Sequence, residues 1–155
     1  LMAAGISRGT AGVMVALVSV LGVPISLIIV PIAARARSQS FWTSGICAVG
    51  VIGVVGVLVA PAAAPWLWMF CVGIGMGVFA LAVALISLRS LSAADTRALS
   101  TMTQSVGYLI AALGPLCFGL LHAITGGWTV SLILVIAILL AQVVIGYFVG
   151  RPRFV

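Results

Sequence analysis

Apolar residues fill five long stretches of the chain, and polar residues are confined to the short gaps between them. The stretches run over about 12–33, 41–60, 66–88, 100–123 and 128–149. Each holds twenty or more residues, which as a helix rising ~1.5 Å per residue covers a ~30 Å hydrocarbon core with some tilt. A helix satisfies its own backbone polar groups, so lipid favours helices over open strands, and no period-two alternation suggests a barrel. The pattern predicts an all-α, polytopic membrane bundle of five transmembrane helices, read as one transmembrane domain over 1–155.

The gaps fix the orientation. Arg35 and Arg37 follow the first span, Arg89 and Arg97 flank the gap after the third, and Arg151 and Arg153 follow the fifth. With five spans, these three places fall on one side of the membrane. The opposite gaps, 61–65 and 125–127, carry no charge. The positive-inside rule makes the arginine side cytoplasmic, so the N-terminus is expected outside and the C-terminus inside a bacterial plasma membrane. Only Arg8 disagrees. Trp42, Trp66, Trp68, Trp128 and Tyr147 lie near span ends, where aromatic belts anchor helices.

Composition agrees with lipid as solvent: 65% of the 155 residues are apolar and 5% charged. The net charge of +6 comes from arginines flanking the spans, so it reads as a topology signal and not as a nucleic-acid footprint. The three cysteines have no metal-ligand or disulfide spacing, and no metal or cofactor is expected. No nucleophile–base–orienter set is present, which argues against an enzyme.

Within the spans, Gly50, Gly53 and Gly56 line one side of the second, and Gly73 and Gly77 form a small-x-x-x-small pair in the third. Small residues let helices approach closely in lipid. The Gly73–Gly77 stretch reads as packing or a flexible point, not a phosphate loop. Pro24 and Pro31 in the first span and Pro115 in the fourth are candidate kinks, with Gly114 and Gly119 beside the last.

The fourth span carries the clearest face. At 100° per residue, Thr101, Gln104, Ser105, Tyr108, Ala112, Pro115, Gly119 and His122 gather on one side, opposite a leucine-rich side. Polar groups in lipid are costly unless they meet protein or water, so this stripe is expected to face a bundle interior. Gln104 and Tyr108, one turn apart, could both address one ligand, or could bond neighbouring helices. Thr101, Ser105, Ser19 and Ser26 are further cavity candidates, and Gln142 is assigned to a bundle hydrogen bond. His122 is either proton-linked or, the preferred reading, bonded to a loop carbonyl.

The block Gln104-Ser105-Val106-Gly107-Tyr108-Leu109-Ile110-Ala111-Ala112-Leu113-Gly114-Pro115, followed by Gly119-Leu120-Leu121-His122 and Thr125-Gly126-Gly127-Trp128-Thr129, resembles the C-terminal half of major facilitator superfamily transporters. The nearest branch is the cyanate and nitroimidazole transporter-like group. Pro31-Ile32-Ala33-Ala34-Arg35 is similar to the exit of that group's eighth helix. The resemblance implies that the spans are helices eight to twelve, and that the protein moves a small polar or anionic solute by rocking of two halves around a midplane site. It implies a fragment, whose partners would be the bilayer, the solute, and the N-terminal half and seventh helix of the same transporter. Ala123 stands where the group often has an acid after the histidine. The alternative is a small glycine-rich membrane protein acting as a structural or assembly subunit.

Overall fold

The computed structural model describes residues 5–151. All regular structure among them is helical: α1 (Arg8–Arg35), α2 (Ser40–Val59), α3 (Pro65–Met76), α4 (Val78–Arg89), α5 (Ala93–Thr125) and α6 (Thr129–Val149). With α3 and α4 taken together over Pro65–Arg89, five helices are long and apolar enough to cross a membrane. The protein is a multi-pass membrane protein.

Local chemistry sets the helix ends. Ser7 caps α1, its Oγ accepting the Thr10 N–H at 3.2 Å. Ser92 caps α5 by accepting the Asp95 N–H, and its hydroxyl donates to the Asp95 carboxylate at 2.6 Å. An acid in the first turn also suits the positive end of the helix dipole. This cap starts α5 at Ala93, well before the apolar run begins, and gives the helix 33 residues. Gly126 ends it in the left-handed conformation (φ 67°), donating to the His122 carbonyl at 2.9 Å.

The third span is interrupted at Gly77. There the N–H bonds back three residues, to the Ile74 carbonyl at 2.9 Å, and divides α3 from α4. The prolines behave differently: α1 runs on through Pro24 and Pro31, and α5 through Pro115.

Packing is tightest where side chains vanish. A Cβ on Gly75 would lie 2.6 Å from the Gly50 Cα, so α2 and α3 cross backbone to backbone. Gly53 meets Val72 and the Trp68 carbonyl, and Gly56 receives the Trp68 ring. Gly77 faces Ile25 of α1. Thus α2 lies between α3 and α6, α1 covers α3 and α4, and α5 leans on α6 and α4. A small apolar core of Ala33, Ile46 and Leu81, with Trp42, Ile74 and Val78 around it, joins α1, α2, α3 and α4.

No residue of α5 is buried. Its half-buried positions are Asp95, Thr96, Leu99, Ser100, Gln104, Phe118, Leu121 and His122. The expected polar stripe does not meet the bundle. Thr101, Ser105, Tyr108, Ala112, Pro115 and Gly119 are all exposed, and only Gln104 and His122 belong to both sets. The line of contact is rotated about a quarter turn from the stripe. Phe118 sets it, by standing against Trp128 (centroids 5.6 Å) and accepting the buried Ser131 hydroxyl at its carbonyl (2.8 Å).

Candidate functional site

Gln104 and Tyr108 line a crevice of about 330 Å³ between α4, α5 and α6. Phe79, Ala82, Val83 and Ile86 of α4 form one wall, Thr103, Gly107 and Ala111 of α5 continue the other, and Gln142 of α6 projects into it. Neither glutamine amide bonds to the protein among the described residues. Each amide can donate and accept, and Tyr108 and Thr103 add hydroxyls. The lining carries no charge. The crevice thus sets amide and hydroxyl groups beside the rings of Phe79 and Tyr108.

Gln142 and Thr103 were not singled out as cavity residues from sequence. Gln142 stands alone in an apolar helix, and only the fold places it opposite Gln104. Other candidates do not join them. Thr101 lies with Arg97 along a shallow depression on α5, and Ser105 lines neither feature. Ser19 and Ser26 turn back on α1, donating to the Val15 and Val23 carbonyls at 3.3 and 2.8 Å. Gly114 and Gly119 face open space.

At the uncharged end, His122 stacks on Trp128 with ring centroids 3.6 Å apart and planes at 6°. Its Nδ1 is buried and has no hydrogen-bond partner among the described residues. The two rings border a cavity of about 620 Å³ reaching Val57, Leu58 and Pro61. Trp128 and Trp68 do more than anchor: Trp68 fills the notch at Gly56 and donates its Nε1–H to the Ala60 carbonyl at 2.9 Å.

The opposite end is joined by a polar knot that sequence reading missed. The buried Gln39 side chain donates to the carbonyls of Ala33 (3.3 Å) and Ala36 (3.0 Å), and accepts from Arg89 Nη2 at 3.1 Å. Its backbone N–H donates to the Gly150 carbonyl at 2.9 Å. Beside it, Ser40, Thr43 and Ser44 of α2 donate to the carbonyls of Tyr147, Gly146 and Val143 in α6, at 2.7, 2.7 and 3.0 Å. These contacts bring Arg35, Arg37, Arg89 and Arg151 to one end of the bundle, with Arg97 at the start of α5; Arg153 lies outside the described residues. Arg89 is therefore a structural tie as well as a charge. The only sequence signal is the polar run Ser38-Gln39-Ser40 with Thr43 and Ser44, which looks like an ordinary loop opening a helix.

Comparison with known proteins points one way. The chain is 37% identical over 153 residues to a Bacillus subtilis (strain 168) protein named uncharacterized transporter YycB, matching 97% of this chain and 38% of that protein. It is 39% identical over 103 residues to the 2-nitroimidazole transporter of Escherichia coli (strain K12), matching 66% of this chain and 26% of that one. A Thauera aromatica protein named as a permease is 34% identical over 88 residues, 56% of this chain and 54% of its own length. The chain thus spans well under two thirds of each. No family profile matches it, and no solved structure does.

Proposed function

We propose that these helices form part of the C-terminal half of a facilitator-type secondary transporter, helices eight to twelve, and that the whole protein moves a small polar or anionic solute across a bacterial inner membrane. The observation that carries this reading is the alignment of 97% of the chain with 38% of a protein named as a transporter. The open face of α5 supports it. Thr101, Ser105, Tyr108, Pro115 and Gly119 are poorly matched to lipid and well matched to a water-filled path shared with further helices. In this reading the missing partners are the N-terminal half and the seventh helix. The arginine end is cytoplasmic, and Gln104, Tyr108 and Gln142 meet the solute near the midplane. No step requires an enzyme's chemistry.

The assembly-subunit alternative is less favoured. It needs glycine faces free for other chains; Gly50, Gly53, Gly56, Gly73, Gly75 and Gly77 of the second and third spans are already met by this chain's own helices, which leaves it Gly12 and Gly22 of α1 and Gly107, Gly114 and Gly119 of α5.

The test is uptake of 2-nitroimidazole and of a small carboxylate into vesicles bearing the intact protein. Gln104→Ala and Tyr108→Phe should each lower uptake of the transported compound roughly 5–10-fold, the loss of one solute hydrogen bond, with the amount of protein in the membrane unchanged. Unaltered uptake in both variants overturns the assignment of the crevice.

A further inference from the structure

A second groove, of about 490 Å³, runs along the outside of the bundle between the first turns of α2 and the last turns of α6. Ser40, Phe41, Ser44, Gly45, Val143 and Tyr147 are among its lining residues. It begins at the arginine-bearing end and leads towards the middle of the helices. Gly45 and Ala48 keep its floor low, and Phe41, 77% exposed, stands as a rim. Two features distinguish it from a bare apolar furrow. First, the Arg151 guanidinium is held over the ring of Tyr147, a lining residue, 4.9 Å from its centre, and lies 5.0 Å from the centre of the Phe148 ring. Ring faces leave its N–H donors available in the plane of the group. Second, the hydroxyl protons of Ser40 and Ser44 are directed at the α6 carbonyls of Tyr147 and Val143, so these oxygens can only accept; that of the buried Ser40 also accepts from the Ser38 hydroxyl at 3.2 Å, which leaves Ser44 the more open acceptor.

We propose that this groove holds one anionic phospholipid with a hydroxylated headgroup, of the phosphatidylglycerol type. The phosphate sits on Arg151, the headgroup hydroxyls donate to the serine oxygens, and an acyl chain follows Gly45, Ala48 and Val143. Charge complementarity selects this occupant: the end of the bundle carrying the groove's mouth also carries Arg35, Arg37 and Arg89. A zwitterionic lipid would bring its own cation against them.

Native mass spectrometry of the intact protein, released from detergent with equimolar phosphatidylglycerol and phosphatidylcholine of matched chains, tests this. Phosphatidylglycerol should be retained about fivefold over phosphatidylcholine, the preference expected of one arginine at an anionic headgroup. Arg151→Gln should bring the ratio close to one, and Ala48→Phe, which fills the floor without changing charge, should do the same. Arg151 is exposed and Ala48 is half-buried in the floor of the groove, and an unchanged unfolding midpoint in both variants checks that folding is preserved. Equal retention of the two lipids by the unaltered protein overturns the proposal, as does a preference that survives either substitution. Displacement of the lipid by millimolar inorganic phosphate would also overturn it, because the site would then be one for the free anion.

Discussion

At Gly50 and Gly75 two helices touch main chain to main chain, and nothing but hydrogen fits between them. Overpacking in a protein interior typically costs about 1–3 kcal/mol, and the upper end applies where the obstacle is backbone that no rotamer change can move. Gly75→Val should therefore lower the stability of the intact protein by about 3 kcal/mol, read as a fall in its unfolding midpoint in detergent. Gly45→Ala in α2 should be neutral or stabilising by up to ~1 kcal/mol, since a Cβ there meets nothing within 4 Å and alanine is the better helix former. An equal response of the two variants would mean that the α2–α3 crossing is wrongly placed. The glycine row 50, 53, 56 was legible in the sequence because three-residue spacing keeps it on one side of a helix. Its partner was not, because Trp68 reads as an interfacial anchor and Val72 as any other residue of an apolar span.

Among the helices, α2 is held by hydrogen bonds of two unequal kinds. The Thr43 hydroxyl reaches the Gly146 carbonyl, which already accepts the Gly150 N–H at 2.9 Å, so losing the hydroxyl leaves no orphan. Gln39 is different. Replacing it with leucine removes the donor to two carbonyls at the end of α1 and the acceptor for Arg89. Thr43→Val should cost ~0.6 kcal/mol, the average for an interhelical bond in lipid, and Gln39→Leu about 2 kcal/mol, because one buried side chain then loses three hydrogen bonds, one of them with a charged group. Equilibrium unfolding of the two variants measures the difference; equal losses would reduce Gln39 to a bystander. The five-helix pattern itself was readable, since lipid forces long apolar runs into helices. The knot was not, because its residues are ordinary in a loop and only the meeting of four chain segments gives them partners. The stripe on α5 was legible as residues sharing one side, and in this chain most of that side is exposed. A helical wheel finds which residues share a side, but Phe118 and Trp128 determine which side turns inward.

For the molecule as a whole, the arginines and the polar knot agree on which helix ends lie together. A reporter fused after Val155 should be active only in the cytoplasm, and one inserted in the 61–65 loop only outside. The reverse pattern would invert the proposed topology. In the intact protein, a cysteine at 104 or 108 should react with a water-soluble thiol reagent, and one at Leu109, 73% exposed on this chain, should not if it faces lipid. Protection at 104 and 108 with labelling at 109 would place the aqueous path on the other side of α5.

The two ends of the bundle are fastened differently. At the arginine end, described hydrogen bonds link residues 50, 99, 103, 107 and 112 positions apart. At the far end, Trp68 to Ala60, Ser131 to Phe118 and the His122–Trp128 stack join only helices consecutive in the chain. Such a bundle resembles tongs riveted at the grip. Thermal splaying grows with distance from the rivet, so among the described helices the widest excursions are expected at the tips of α5 and α6.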